Sequence, residues 1–247
     1  MLTLENALAT WPQWNKRLET EPSVCCELSG GLSNQTFLLD AGSCQLVLRL
    51  GLAGAELLGA DRYREQKILF AASDAGLAPA VVYAEPDSGL LVTEFLDGIT
   101  PDQALLGRPQ WQAALLRTMN AMRALSLDLP SFPYRQQMQA YWQQLLAGGH
   151  LELEQQYQSA ISALDLLHQS ASPVSLVHHD LHPENLLMVG DRLMFLDWEY
   201  AGWGYAVMDD IALLRLGVSL PCKYPAEQLM AAQSIAGFLD NAWYLLR

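Results

Sequence analysis

The sequence predicts an α+β chain in two parts. A five-stranded antiparallel sheet plus one helix is expected over residues 1–96, and a mainly helical part over residues 97–247. Three observations carry this. Short apolar runs bounded by Gly, Pro, Asp and Ser recur through the first hundred residues. One stretch of helical periodicity interrupts them. After Gly98 long stretches of that periodicity take over.

Strands are expected at 24–28 and 36–39 around the turn Ser29-Gly30-Gly31-Leu32-Ser33-Asn34. A third is expected at 45–50, with Leu46, Leu48 and Leu50 on one face and Arg49 among the alternates. A helix at 57–75 ends before Gly76. Strands at 80–84 and 89–95 flank the turn Glu85-Pro86-Asp87-Ser88, completing a β-β-β-α-β-β order. Helices are then expected at 110–125, 136–146 and 151–168. A hairpin follows, with strands 186–189 and 192–196 about Gly190-Asp191, and then helices at 208–216 and 226–246.

Composition narrows the function classes. The 247 residues are 51% hydrophobic and 17% charged, which suits a chain that buries a core. No run approaches the roughly 18 apolar residues of a membrane span. The first sixteen residues carry Glu5 and no basic segment leading into an apolar one, so no secretory leader and no membrane partner are expected. Cys25, Cys26, Cys44 and Cys222 form no CxxC pair, which reads as buried or inert thiols in a reducing, cytoplasmic compartment. The net charge of −13 disfavours a nucleic acid partner and favours a cationic ligand.

The chemistry concentrates in His178-His179-Asp180-Leu181-His182-Pro183-Glu184-Asn185, followed by Leu196-Asp197-Trp198-Glu199-Tyr200. Moving a phosphoryl group to a hydroxyl needs a carboxylate for the hydroxyl proton and hard oxygen ligands for Mg²⁺. Asp180 fits the base, and Asn185 and Asp197 fit the metal ligands. A lone Asp or Asn in a turn usually caps it, but this run has the full spacing. The three histidines lack the i, i+4 pairing with Glu of a zinc helix, and no cysteine ligand is near, so zinc is disfavoured.

The HxDxxxxN run with Asp-Trp-Glu-Tyr resembles the aminoglycoside phosphotransferase and choline kinase superfamily. Within it, the Leu-Asp-Trp-Glu-Tyr-Ala-Gly and Tyr141-Trp142-Gln143-Gln144 segments look most like bacterial thiamine kinases and choline kinase-like proteins. The resemblance covers nearly the whole chain. It implies a bilobal, protein kinase-like fold with a nucleotide-binding lobe over 1–96 and a catalytic, acceptor-binding lobe over 97–247.

By that resemblance ATP is the phosphate donor and Mg²⁺ the metal. Ser29, Gly30, Gly31, Ser33 and Asn34 cover the phosphates, and Arg49, paired with Glu65, neutralises them. Glu94 to Leu96 supplies backbone bonds to adenine. Glu199 lies near the metal, His178 organises the loop, and Asp210, preferred over Asp209, braces it. Tyr200, Trp203, Tyr141 and Trp142 are the candidates for acceptor contact. The acceptor class implied is a cationic primary alcohol, thiamine slightly ahead of choline and ethanolamine, with aminoglycosides and sugars behind. Asp180, Asn185 and Asp197 are all present, which favours an active enzyme over a nucleotide-binding regulatory module, and no Ala-Pro-Glu follows Asp197, which disfavours a protein kinase. Many relatives continue past the point corresponding to Arg247, so part of the acceptor wall is expected to be absent or supplied by a second subunit of a homodimer.

Overall fold

The computed structural model describes residues 2–14, 18–30, 33–52, 54, 59–220 and 224–246, with the backbone alone at 29 and 30. By its internal contacts the chain divides into two units: Met1–Thr100 with Leu187–Glu199, and Pro101–Leu186 with Tyr200–Arg247.

The first unit carries the expected five-stranded sheet. Strands β1 (Ser23–Gly30), β2 (Asn34–Asp40), β3 (Gln45–Gly51), β4 (Val81–Glu85) and β5 (Leu90–Glu94) lie in the order β1-β2-β3-β5-β4. Every pairing is antiparallel. Strand β3 shows why the sheet has two chemically different faces. Leu46, Leu48 and Leu50 pack into one core with Phe37, Leu39, Val82, Leu90 and Val92, closed by Ala7 and Trp14. Ala7 lies in a short helix, α1 (Leu4–Leu8), which the sequence reading did not include. Arg49, of opposite parity in the strand, points away from that core.

Helix α2 (Arg62–Asp74) begins later than expected. Asp61 caps it by accepting the Arg64 N–H at 3.0 Å; residues 59–61 are not helical, and 57–58 lie outside the described residues. It ends as expected. Gly76 takes φ 69°, the Leu77 N–H reaches Ala72 O at 2.8 Å, and the Gly76 N–H reaches Ser73 O at 2.9 Å, closing the helix with a left-handed turn. The hairpin of β7 (Leu186–Val189) and β8 (Arg192–Phe195) turns at Gly190, φ 63°. Residues 187–199 group with the first unit, a return that a single division of the chain at 96/97 does not contain.

The second unit is mainly helical: α3 (Gln103–Leu106), α4 (Pro109–Arg123), α5 (Tyr134–Ala147), α6 (Glu154–Gln169), α7 (Val207–Arg215) and α8 (Ala226–Leu245). Helices α5, α6 and α8 pack on one another. Two strands join them unexpectedly: β6 (Val174–Val177) pairs antiparallel with β9 (Gly202–Tyr205). β6 delivers the chain into the His178–Asn185 loop, which closes with a 3-10 turn at Pro183–Asn185. Among the described residues no helix is long and apolar enough to cross a membrane.

Candidate active site

Two groups of side chains hold the residues singled out in the sequence, one in each unit. In the first, Arg49 donates from Nη2 to Glu65 Oε2 at 2.6 Å and from Nη1 to Asp197 Oδ1 at 3.0 Å. The expected pairing of Arg49 with Glu65 is therefore present. Burial works against the Arg49 charge, but Glu65, Asp197 and Glu199 together hold its pKa above the ordinary value. Burial also pushes the Glu65 carboxyl up, yet Arg49 and then Arg62 hold it below its usual range. Asp197 adopts φ 56°, a left-handed conformation a β-carbon disfavours, held at a cost of about 1–3 kcal/mol.

Arg62 is the residue the sequence reading missed. Its Nη1 donates to Glu65 Oε2 at 3.1 Å and to Glu199 Oε2 at 2.8 Å, and its Nη2 donates to Asn34 Oδ1 at 2.8 Å. Glu199 also accepts from Ser33 Oγ at 2.7 Å and from Asn34 Nδ2 at 3.0 Å. One expectation changes accordingly. Both Glu199 oxygens are engaged by protein donors, which differs from the expected metal-ligand role. The Ser33 and Asn34 side chains are directed at Glu199. Ser29 and Gly30 end strand β1 instead of sitting in the turn, and Gly31 lies outside the described residues.

Along the expected adenine-binding stretch, the Glu94 N–H donates to Ala80 O at 2.9 Å and the Phe95 N–H to Gln45 O at 3.1 Å.

In the second unit the Asp180 loop is tied internally. Asn185 Nδ2 donates to Asp180 O and to Asp180 Oδ2, both at 2.9 Å, and lies 3.0 Å from His182 Nε2, leaving Oδ1 as the acceptor end of the side chain. His182 sits between two carboxylates, with Nε2 3.4 Å from Asp180 Oδ2 and Nδ1 2.8 Å from Glu184 Oε2. Its hydrogen bond to Asp180, with the Glu184 carboxylate adding, pushes its pKa up to about 9. Burial would raise the Asp180 carboxyl, but the bond to His182 and the nearby His182 and His178 rings hold it below its ordinary value. Asp180 is thus ready as a carboxylate, the form a base requires.

The bracing carboxylate is Asp209 and not Asp210. Asp209, fully buried, accepts the backbone N–H of His178 at 2.9 Å and of His179 at 3.0 Å. Burial pushes its pKa up to about 6 against the pull of those two amides. Asp210 instead pairs with Arg123 at 2.8 Å and accepts from the Tyr224 hydroxyl at 2.6 Å. His178 is fully buried in the loop.

The aromatic candidates separate. Tyr141 is buried within α5 and its hydroxyl accepts from Gln137 Nε2 at 3.2 Å. Trp142 stacks on Tyr157 of α6, centroids 5.2 Å apart, and Tyr157 meets Phe238 of α8 at 5.5 Å. These two serve helix packing, contrary to the expectation that they touch an acceptor. Tyr200 and Trp203 remain half-buried beside the loop: the Tyr200 carbonyl lies 3.0 Å from His179 Nδ1, and Trp203 Nε1 donates to Leu127 O at 2.8 Å.

Among the described residues no three His, Cys, Asp or Glu side chains gather into a metal cluster. Asn185 Oδ1 and the Asp197 carboxylate are hard oxygen donors, the type that Mg²⁺ takes.

A family model described as the phosphotransferase enzyme family matches residues 24–242. Protein LicA of Haemophilus influenzae is 28% identical over 196 residues, covering 75% of this chain and 56% of LicA. The chain therefore spans little more than half the length of that curated relative. Among solved structures, choline kinase LicA from Streptococcus pneumoniae is similar with a TM-score of 0.74 at 19% identity, covering 91% of this chain and 86% of the other. LicA in complex with AMP is similar with a TM-score of 0.71 at 19% identity, covering 93% and 85%. At those identities the structures speak for the fold, the one the sequence predicted.

Proposed function

This chain belongs to the phosphotransferase enzyme family, and we propose that it moves the γ-phosphate of ATP to the hydroxyl of a small cationic alcohol. The carrying observation is the Asp180 loop. An ionised carboxylate is held by Asn185 in a segment whose amides are gripped by a buried aspartate. In this reading Asp180 orients the acceptor hydroxyl and takes its proton. Asn185 Oδ1 and the Asp197 carboxylate are the oxygen donors this reading assigns to Mg²⁺, which when bound would neutralise phosphate oxygens. Arg49, kept cationic by Glu65 and Asp197, faces phosphate charge.

The acceptor class is supported by the net charge of −13, which attracts cations, and by relatives whose names carry choline kinase. Those names favour choline over thiamine. Tyr200 and Trp203 are the aromatic faces this reading retains for a cation, each contact contributing about 0.5–2 kcal/mol. The lobe division at 96/97, a cytoplasmic setting and a homodimer belong to the same reading.

The test is a steady-state comparison of choline, ethanolamine, thiamine and a neutral alcohol of similar size with MgATP, the phosphorylated product identified by mass spectrometry. The highest kcat/KM is expected for a cationic alcohol. If a neutral alcohol leads, the cation assignment fails; if ATP binds but no alcohol is phosphorylated, the chain is a nucleotide-binding regulatory module.

A further inference from the structure

His179 immediately precedes Asp180, and nothing in the chemistry above uses it. Several of its contacts are nevertheless specific. The backbone sits at φ 66°, a left-handed conformation that residues with a β-carbon seldom adopt unless neighbours enforce it. Its amide is held by Asp209 at 3.0 Å. Its ring stacks on Phe132, centroids 4.1 Å apart and planes 26° from parallel. Both ring nitrogens are engaged, Nδ1 at 3.0 Å from the Tyr200 carbonyl and Nε2 at 2.6 Å from the Tyr134 hydroxyl.

The protons in this chain of contacts can be assigned. A carbonyl oxygen only accepts, so His179 Nδ1 carries a hydrogen. The Tyr205 N–H donates to the Tyr134 oxygen at 3.2 Å. With a neutral imidazole Nε2 is an acceptor and the phenol donates to it, so the order runs Tyr205 N–H to Tyr134 O–H to His179 Nε2, then Nδ1–H to Tyr200 O. The order depends on a close approach that only glycine permits. A β-carbon on Gly204 would fall on the Tyr134 hydroxyl and lie 2.9 Å from His179 Nε2. The second wall is fixed too, because the Phe132 N–H donates to Trp203 O at 2.6 Å and so lays the Phe132 ring over the imidazole.

We propose that His179 is a positioning residue for phosphoryl transfer. Strand β9, through Gly204 and Tyr205, and the start of α5, through Phe132 and Tyr134, clamp its ring and so set the direction of the Asp180 carboxylate one residue on. The proposal rests on the kinase reading above and deepens it: the loop is held at its amides by Asp209 and at this side chain by the tyrosine relay. Misdirecting a base by about 1 Å can cost on the order of 100-fold in rate, so the clamp acts on kcat and leaves nucleotide binding alone.

Tyr134→Phe keeps the ring and its packing and removes only the relay hydroxyl. In that variant kcat for choline should fall roughly 10–100-fold while KM for MgATP stays within about twofold. Gly204→Ala should do the same through the steric route. In wild type, ¹⁵N NMR of the histidine rings should show His179 neutral with its proton on Nδ1, and Tyr134→Phe should perturb the Nε2 resonance. If Tyr134→Phe lowers Tm but leaves kcat within about twofold, the residue is merely structural and the proposal is overturned. A wild-type spectrum with the proton on Nε2 of a neutral ring overturns it as well. Should the wild-type chain phosphorylate no alcohol, the kinase reading falls with the catalytic role of His179, whereas the NMR result separately decides the relay.

Discussion

Replacing Arg62 by Met removes one cation from between two buried carboxylates and so measures what holds the 197–199 segment to helix α2. The Arg62 and Glu199 side chains are 7% and 2% exposed, which puts the pair among buried ion pairs, where losing one partner costs about 3–5 kcal/mol, and not among surface pairs at about 0–1 kcal/mol. The loss is unevenly shared. Glu65 keeps Arg49 at 2.6 Å, so its charge remains compensated. Glu199 keeps only neutral donors among the bonds described, Ser33 at 2.7 Å and Asn34 at 3.0 Å. Those bonds place the expected cost at the lower end, about 3 kcal/mol. In a chain of this size that shifts Tm by roughly 6–12 °C. Urea unfolding of Arg62→Met, Glu199→Gln and the double variant checks it. The double variant should be destabilised less than the two singles together by about 1–3 kcal/mol, because the stranded charge is gone. A single-variant cost under about 1 kcal/mol, or strict additivity, would refute the reasoning.

The remaining predictions concern the chemistry. Asp180→Asn should lower kcat roughly 10²–10⁴-fold and leave nucleotide affinity within a few-fold; turnover near wild type removes Asp180 as the base. Asp197→Ala should raise the Mg·ATP dissociation constant about tenfold or more by calorimetry, since it deletes a proposed metal ligand and a partner of Arg49. For His182 the folded-state pKa of about 9 exceeds the ordinary 6.5. Its stabilising contribution is therefore complete below about pH 6.5 and lost as pH rises through 9. An NMR titration midpoint near 6.5 would contradict this, and His182→Gln should flatten the corresponding part of the Tm profile.

How far the sequence foretold this depends on whether the deciding contacts were local. In β3 the alternation of Leu46, Leu48 and Leu50 fixed which face meets the core, and that same parity turned Arg49 to the other side, toward Glu65. The 178–185 loop is local as well, and its Asp180–Asn185 bond joins residues five apart. Strand β9 was missed because Gly202-Trp203-Gly204-Tyr205, with two glycines, reads as loop; it becomes a strand by pairing with residues 174–177. Glu199 was misjudged because its cation, Arg62, lies 137 positions away. The one available signal was the spacing of Arg62 three residues before Glu65, which puts both on one face of α2. Tyr141 and Trp142 were assigned by resemblance, whereas their helical positions sufficed to bury one and stack the other.

The aspartate pair opening α7 shows why a one-residue ambiguity matters physically. Successive residues on a helix point about 100° apart, so two adjacent carboxylates cannot serve the same partner. Asp209 faces the loop and takes the His178 and His179 amides; Asp210 faces α4 and takes Arg123. Arg123 in turn donates to Ala206 O at 3.0 Å, just ahead of α7. The first turn of α7 is thus fixed from one side by α4 while it fixes the catalytic loop on the other. The two aspartates should therefore separate by variant. Asp209→Asn replaces an acceptor of two amides by a side chain whose Nδ2 must confront one of them, so faster hydrogen exchange is expected at His178 or His179. Asp210→Asn retains an oxygen for Arg123 and should leave those two amides protected. Equal loss of protection in both variants would mean that the pair acts through the position of α7 as a whole and not through the direct bonds of Asp209.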